Sequence, residues 1–251
     1  MVELININLL RTSKRYSSDS LKSVITELFT NPLTHLIESR QTDSVLKNIN
    51  ITFNTSDKVA IFGKNGSGKT TLCKIIARQI APTSGQLKNV LKSTYASQLE
   101  NCLFSELTGL ENLKFLISHL YSDLNHKEHV QILNESIQLA ELNESIHFLV
   151  ETYSLGMKSR LCWAAVFARS RELLILDEMS SHVDEFFKEK LGSKFDHSLL
   201  NAKIFIYVSH NIDALTEKCN RGIVIDNNEI IFDGNLQKAI ACYRMLGANN
   251  V

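Results

Sequence analysis

The stretch Val59–Thr71, VAIFGKNGSGKTT, constrains this chain more than any other. It fits G-x-x-x-x-G-K-[ST] at Gly63, Gly68, Lys69 and Thr70. A short apolar run precedes it and the helix-like LCKIIARQI follows, so strand, loop and helix succeed one another. A phosphate chain is held by backbone N–H groups turned inward around it. That requires glycine where a Cβ would block the approach, and the start of a helix adds a favourable dipole. Gly63, Lys64, Asn65, Gly66, Ser67, Gly68, Lys69, Thr70 and Thr71 are therefore expected to cradle a nucleoside triphosphate. Lys69 would reach the β- and γ-phosphates and Thr70 would hold Mg²⁺.

At 251 residues the chain can bury a full core in one domain or two. Its 27 basic residues balance 27 acidic ones, so the global positive field that attracts nucleic acid is absent, and nucleic acid is not an expected partner. The five cysteines, Cys73, Cys102, Cys162, Cys219 and Cys242, are scattered and never spaced C-x-x-C, the pattern of a reduced chain. No apolar run approaches the ~20 residues of a membrane span. The opening MVELININLL lacks the basic start and cleavage site of a signal peptide, so any membrane role is expected to go through a partner.

Periodicity predicts a strand over Glu3–Leu10, with Ile5, Ile7 and Leu9 on one face. Leu21, Val24, Ile25, Leu28 and Phe29 fall at helical spacing, as a short amphipathic helix that either packs on its own domain or meets a membrane surface or a permease. Pro32 ends it and a polar linker runs to Asp43. Strands are predicted at Val45–Phe53 and Lys58–Phe62, then near Gln86–Val90 and Ser93–Ala96. Thr108 and Glu111 have capping-box spacing at the head of a helix carrying Leu110, Leu113, Ile117, Leu120 and Leu124. A second helix is expected to bury Val130, Leu133, Ile137 and Ala140. Further strands follow at Glu172–Asp177 and Ile204–Ser209, then a hairpin of Gly222–Asp226 with Ile230–Phe232 and a last helix from Leu236 to Leu246. The sum is an α/β core with strand-rich and helical additions. His126 and His129 lack a third ligand at useful spacing and read as a solvated helix face.

A second chemical element is LLILDE, a buried strand ending in Asp177 and Glu178. A strand-end carboxylate near a phosphate loop can hold Mg²⁺, the role expected of Asp177. The next one, Glu178, can orient or deprotonate an attacking water. Thr152–Ala168 makes a small turn that opens an apolar helix, whose N-terminus is a second anion site. Gly63–Thr70, YSLGM at Tyr153–Met157, ILDE at Ile175–Glu178, Asp184 and VSHN at Val208–Asn211 together resemble the nucleotide-binding subunits of ABC transporters. The spacing matches as well, with 21 residues from Gly156 to Asp177 and 33 from Asp177 to His210.

This resemblance implies one P-loop NTPase (RecA-like) α/β core over residues 1–251, with an antiparallel β subdomain and an inserted α-helical subdomain. The nucleotide-binding part would be 1–97 and 172–251, and the helical part about 98–171. It implies ATP and Mg²⁺ as cofactors and an ATP-sandwich homodimer, in which Ser154, Leu155, Gly156 and Met157 of one copy meet the γ-phosphate held by the other. Gln98 would sense Mg²⁺ and the transmembrane partner, Asp184 would couple the two sites, and His210 would contact the γ-phosphate. An integral-membrane permease is the implied partner, which places the chain peripherally on the cytoplasmic face of the inner membrane. SKRY at Ser13–Tyr16, ELTGLEN at Glu106–Asn112 and YRML from Tyr243 further resemble exporters of capsule, O-antigen or teichoic-acid-type glycans. Some of those carry a carbohydrate-binding domain after the ATPase core, which is not expected here.

Two positions depart from the family. Leu155 stands where Ser or Gly is usual, and a branched side chain there is expected to hinder the close approach of phosphate. The usual adenine-stacking aromatic is missing from Asp43, Ser44 and Val45, with Tyr16 as a candidate substitute. A soluble ABC ATPase without a transport role and a slow-turnover regulatory module remain the alternatives.

Overall fold

The protein is described from a computed structural model, covering residues 1–13, 41–179 and 185–248. Alternating apolar residues account for the antiparallel sheet and continuous apolar runs for the central strands of the other. In chain order the elements are β1 (Val2–Ser13), β2 (Gln41–Phe53), β3 (Asp57–Gly63), α1 (Lys69–Ile76), β4 (Ser84–Asn89), β5 (Ser93–Ser97), α2 (Gly109–Leu120), α3 (His126–Ala140) and α4 (Leu155–Phe167). Then come β6 (Leu173–Asp177), α5 (Glu185–Asn201), β7 (Ile204–Val208), α6 (Ile212–Lys218), β8 (Arg221–Asp226), β9 (Glu229–Asn235) and α7 (Leu236–Ala248).

An antiparallel sheet has the order β2-β1-β4, and a six-stranded sheet has the order β5-β6-β7-β3-β8-β9. The latter is parallel except for β9, which closes a hairpin on β8. Its central strands are apolar at nearly every position because both faces are covered. Val59, Ile61, Leu173, Ile175, Ile204 and Ile206 pack toward the antiparallel sheet and α1. Their neighbours Ala60, Phe62, Leu174, Leu176 and Phe205 pack toward the helices on the other side. Tyr121 seals that helical side, its buried hydroxyl donating to the carbonyls of Val166 (2.8 Å) and Ala165 (3.0 Å). No described helix is long and apolar enough to cross a membrane.

Several expectations need correction. In β1 the buried residues are Val2, Leu4 and Ile7, and Ile5 is only half-buried. Asn6 (φ 49°) and Asn48 of β2 (φ 45°) sit in left-handed conformations where the pairing register shifts. One extra residue inverts the facing of every later position in the strand. Asparagine tolerates this conformation, and here Asn50 and Asn8 side chains accept from the Asn6 and Asn48 backbone N–H groups, both at 2.8 Å. Of the stripe expected in α3, Ala140 is buried and Leu133 and Ile137 pack half-buried on the core, but Val130 is 44% exposed, and Ile132, Ser136 and Leu139 complete the buried face. Leu124 lies beyond the end of α2, and Leu116 is buried in its stead. The residues just before Asp43 belong to β2 rather than a linker. The amphipathic segment Leu21–Phe29, Tyr16 and Asp184 lie outside the described residues.

Helix starts follow local chemistry. Both halves of the Thr108–Glu111 capping box are made, and a second box at Asn125–Glu128 opens α3.

Candidate active site

Strand order builds the site. In β5-β6-β7-β3 all four strands run parallel, so their carboxyl ends share one edge, and Ser97, Asp177 and Val208 fall in one register row. The residues that leave this edge are Gln98, Glu178, Ser209–His210 and the loop after Gly63. Ligands of open α/β sheets bind outside such carboxyl ends.

The phosphate loop runs from Gly63 into α1. A Cβ on Gly63 would lie 2.5 Å from both the Ile225 carbonyl and the Ser67 hydroxyl. On Gly68 (φ 103°) it would lie 2.7 Å from Leu46 Cδ2 and 2.8 Å from the Val45 carbonyl. Only glycine fits either position, which is how β2 and β8 come to press against the loop. Lys69 Nζ donates to the carbonyls of Gly63 (2.8 Å) and Lys64 (3.1 Å) and so lies along the loop. A cavity of about 520 Å³ opens above, lined by Asn65, Gly66, Gly68, Lys69, Thr70, Thr71 and Glu178, together with Arg11, Asp43, Ser44, Val45 and Asn228. Its size suits one small molecule. α1 starts at Lys69 and ends at Ile76, so it is displaced toward the loop relative to LCKIIARQI.

Asp177 is buried. Its Oδ2 accepts from the Tyr95 hydroxyl (3.1 Å) and Ser97 Oγ (3.4 Å), and its Oδ1 has no hydrogen-bond partner among the described residues. Burial, reinforced by the charge of Asp177, pushes the Tyr95 phenol up, so it remains a neutral donor. Burial likewise raises the Cys73 thiol beneath the loop and keeps it unreactive. A buried carboxylate oxygen without a donor suits a hard cation, and Thr70 and Gln98 carry oxygens of the kind Mg²⁺ prefers. These residues fit the metal.

Glu178 (φ 52°) is turned out of the strand direction, with its N–H on the Val208 carbonyl at 2.9 Å. Its carboxylate is gripped at both oxygens: Gln98 Nε2 donates to Oε2 at 3.1 Å, and His210 Nε2 lies 3.1 Å from Oε1. Asn101 Nδ2 in turn donates to Gln98 Oε1 at 3.1 Å. Two residues that the sequence singles out separately, Gln98 and His210, thus converge on the carboxylate of a third. A narrow crevice beside them is lined by Phe62, Lys69, Glu178, His210 and Tyr243, and Tyr243 is tilted against Phe62 with ring centroids 5.6 Å apart.

The turn before α4 stands apart. Ser154 is the helix N-cap, its Oγ accepting from the Met157 N–H at 3.2 Å, and Leu155 is 64% exposed. Ser154, Leu155, Gly156 and Met157 line neither the cavity over the loop nor the crevice at Glu178. Sequence reasoning missed Tyr95, Asn228 and Arg11. The first is legible only once β5 is paired with β6, and the others only once three chain segments meet.

The ABC transporter family model matches residues 46–181. The polysialic acid transport ATP-binding protein KpsT of Escherichia coli is 34% identical over 203 residues, covering 80% of this chain and 88% of that protein. The teichoic acids export ATP-binding protein TagH of Staphylococcus haemolyticus is 33% identical over 200 residues, covering 79% and 74%. Among solved structures, a dimeric ATP-binding cassette in a post-hydrolysis state bound to ADP and Pi superposes with a TM-score of 0.67 at 21% identity, over 94% of this chain and 99% of that one. That likeness supports the fold, and the sequence matches show the rest: the chain belongs to the ABC transporter family.

Proposed function

We infer that the chain is the ATP-hydrolysing motor of an exporter that moves a polysaccharide or lipid-linked glycan through a separate membrane permease. The observation that carries this is the Glu178 carboxylate, held between Gln98 and His210 at 3.1 Å each beside the phosphate loop. The glycan class rests on the relatives, named for polysialic acid transport and teichoic acid export.

In this account the N–H groups of the loop and Lys69 bind the β- and γ-phosphates. Asp177, Thr70 and Gln98 would hold Mg²⁺, which would supply positive charge to the transferring phosphoryl group. Glu178 orients a water in line with the γ-phosphate and accepts its proton at Oε1 or Oε2. His210 fixes the carboxylate and faces the same phosphate, and Gln98 links Glu178 to the segment that follows it. Ser154 and the N–H groups at the start of α4 complete the site of a second copy, because a helix N-terminus attracts anions and this one lies away from its own cavity. Asp184 couples the two sites. The chain then works peripherally, on the cytoplasmic face of the membrane that holds the permease.

A docking surface for that permease follows Gln98 directly. Phe104 (46% exposed) and Phe115 stack edge to face at 5.1 Å, and Leu107, Phe148 and Leu149 extend the apolar surface. Backbone bonds from Gly109 to Phe148 and from Val150 to Leu107 hold these pieces together. Buried Asn112 clamps the loop, donating to the carbonyls of Phe104 and Thr108 at 3.0 Å. Contiguous exposed apolar surface of this kind marks an interaction site.

The test has two parts. The purified chain should release phosphate from MgATP and lose that activity in Lys69→Ala. From detergent-solubilised membranes it should co-purify with a polytopic protein, and Phe104→Asp/Phe115→Asp should abolish the capture while sparing ATP hydrolysis. No hydrolysis by the wild type, or capture indifferent to the double variant, contradicts the proposal.

A further inference from the structure

A second cavity, of about 390 Å³, opens at the other end of α1 from the phosphate loop, beside β5, the edge strand of the six-stranded sheet. Its walls come from the residues that follow α1, from the turn between β4 and β5, and from the end of α2.

Side chains set its charge. The last four carbonyls of α1, at Cys73, Lys74, Ile75 and Ile76, accept in turn from the N–H groups of Ala77, Gln79 and Arg78 and from Asn89 Nδ2, each at 2.9 Å, so the negative end of the helix is already satisfied. Among the described lining residues Arg78, Lys92 and His119 face a single carboxylate, Asp123. Buried Arg171 spans that carboxylate, with Nη1 at 3.0 Å from Oδ2 and Nη2 at 2.5 Å from Oδ1, and neutralises it. Arg78 and Lys92 then leave the cavity positive. Gln79, Ser93 and Ser122 add neutral hydrogen-bonding groups. A positive space larger than a bare phosphate ion, with hydroxyl and amide groups in its walls, suits a phosphate ester of a small polyhydroxy compound.

Tyr95 belongs to this cavity and to the catalytic edge at once. It lines the cavity, is 7% exposed, and its hydroxyl donates to Asp177 Oδ2 at 3.1 Å. Whatever packs on Tyr95 acts one hydrogen bond away from the carboxylate assigned to Mg²⁺.

We propose that this cavity is a regulatory site for a small phosphate ester held by Arg78 and Lys92, whose occupancy braces Tyr95 and through it Asp177, so that the ester and MgATP each tighten binding of the other. The coupling rests on the Mg²⁺ role given to Asp177, and the site itself does not. Its reciprocity is a thermodynamic requirement.

Calorimetry on the full chain, with glucose 6-phosphate as the probe against inorganic phosphate and glucose, tests both halves. Glucose 6-phosphate should bind more tightly than either. Arg78→Gly/Lys92→Ser should weaken it by at least about tenfold while MgATP binding persists. Arg78 is left-handed (φ 61°), a conformation glycine adopts freely, so the loss cannot come from a strained turn. Saturating glucose 6-phosphate should tighten MgATP about fivefold, MgATP should tighten the ester by the same factor, and Tyr95→Phe should keep the ester but lose the coupling. The site is overturned if glucose 6-phosphate does not bind, if phosphate or glucose binds as well as the ester, or if the double variant binds it unchanged. The coupling is overturned if MgATP affinity ignores the ester, or still responds to it in Tyr95→Phe. Lys69→Ala separates the two levels. Loss of glucose 6-phosphate there would put the probe on the phosphate loop and overturn the site, whereas MgATP binding that survives Lys69→Ala would mean that the phosphate-loop account itself has failed.

Discussion

Replacing Glu178 with glutamine removes one negative charge while preserving shape, and the structure says what the remaining contacts can do. The glutamine oxygen can keep accepting from Gln98 Nε2, now at 3.1 Å from Glu178 Oε2, so the chain of donors from Asn101 through Gln98 survives. Its amide then faces His210 Nε2, which can accept if the imidazole carries its proton on Nδ1. Both bonds are retained by a tautomer change, the left-handed backbone is as costly for glutamine as for glutamate, and folding stability should change by less than about 1 kcal/mol. The lost function is proton acceptance from the attacking water, a contribution of roughly 10²–10⁴ in rate, or about 3–5 kcal/mol in the barrier. Single-turnover phosphate release, equilibrium MgATP binding and a thermal melt should therefore separate cleanly: release down at least about a hundredfold, affinity and melting almost unchanged. Release within about tenfold of wild type would refute the role given to Glu178. So would loss of ATP binding in a variant that still melts like the parent, because the carboxylate would then be a ligand site rather than a base.

Four further outcomes are expected. Tyr95→Phe removes a hydrogen bond from the buried Asp177 carboxylate, which should cost about 1.5–3 kcal/mol in urea unfolding; a change under about 0.5 kcal/mol would mean that Asp177 finds another donor. Leu155→Ser should raise steady-state ATP turnover several-fold if the exposed leucine obstructs closure on a second copy, and equal rates would show that it does not. Breaking the capping box with Thr108→Ala should cost about 1 kcal/mol in urea unfolding while leaving ATP affinity intact. The Arg171 guanidinium beside Asp123 holds its carboxyl below the usual range. With the folded value below the unfolded one, stability is present above about pH 4 and lost as pH falls through the folded value. Since Asp123 is 43% exposed, Asp123→Asn should cost only about 1 kcal/mol at pH 7, and the difference should vanish in acid; a constant offset across pH contradicts the ion pair.

What could be read from the sequence divides along physical lines. The phosphate loop, LLILDE and VSHN were legible because each packs its chemistry into a few consecutive residues at the end of a continuous apolar strand. Three-dimensional strand order then brought Gly63, Asp177, Glu178 and His210 together without further signal. The facing of β1 was not legible, because a bulge at Asn6 leaves the alternation of residue types intact while inverting its meaning. The face of α3 was only partly legible because its half-buried and buried apolar residues lie on adjoining stripes, and only packing on α2 and α4 selects between them. α5 escaped notice since Phe187, Leu191, Ser198 and Leu199 are buried amid a charged, glycine-containing stretch. Contacts made across pairing, such as Tyr95 with Asp177 or Arg11 beside Asp43, have no local signature at all.

The central claim is that the loop at Lys69 is half of a site, completed by Ser154 of a second copy. Molecular mass by light scattering answers it most directly, using Glu178→Gln with and without MgATP and the same protein carrying Ser154→Arg as well. The account predicts a dimer only when MgATP is present, and a monomer at every ATP concentration once Ser154→Arg is added although ATP still binds. A Glu178→Gln chain that binds MgATP and stays monomeric, or a dimer indifferent to Ser154→Arg, would contradict it.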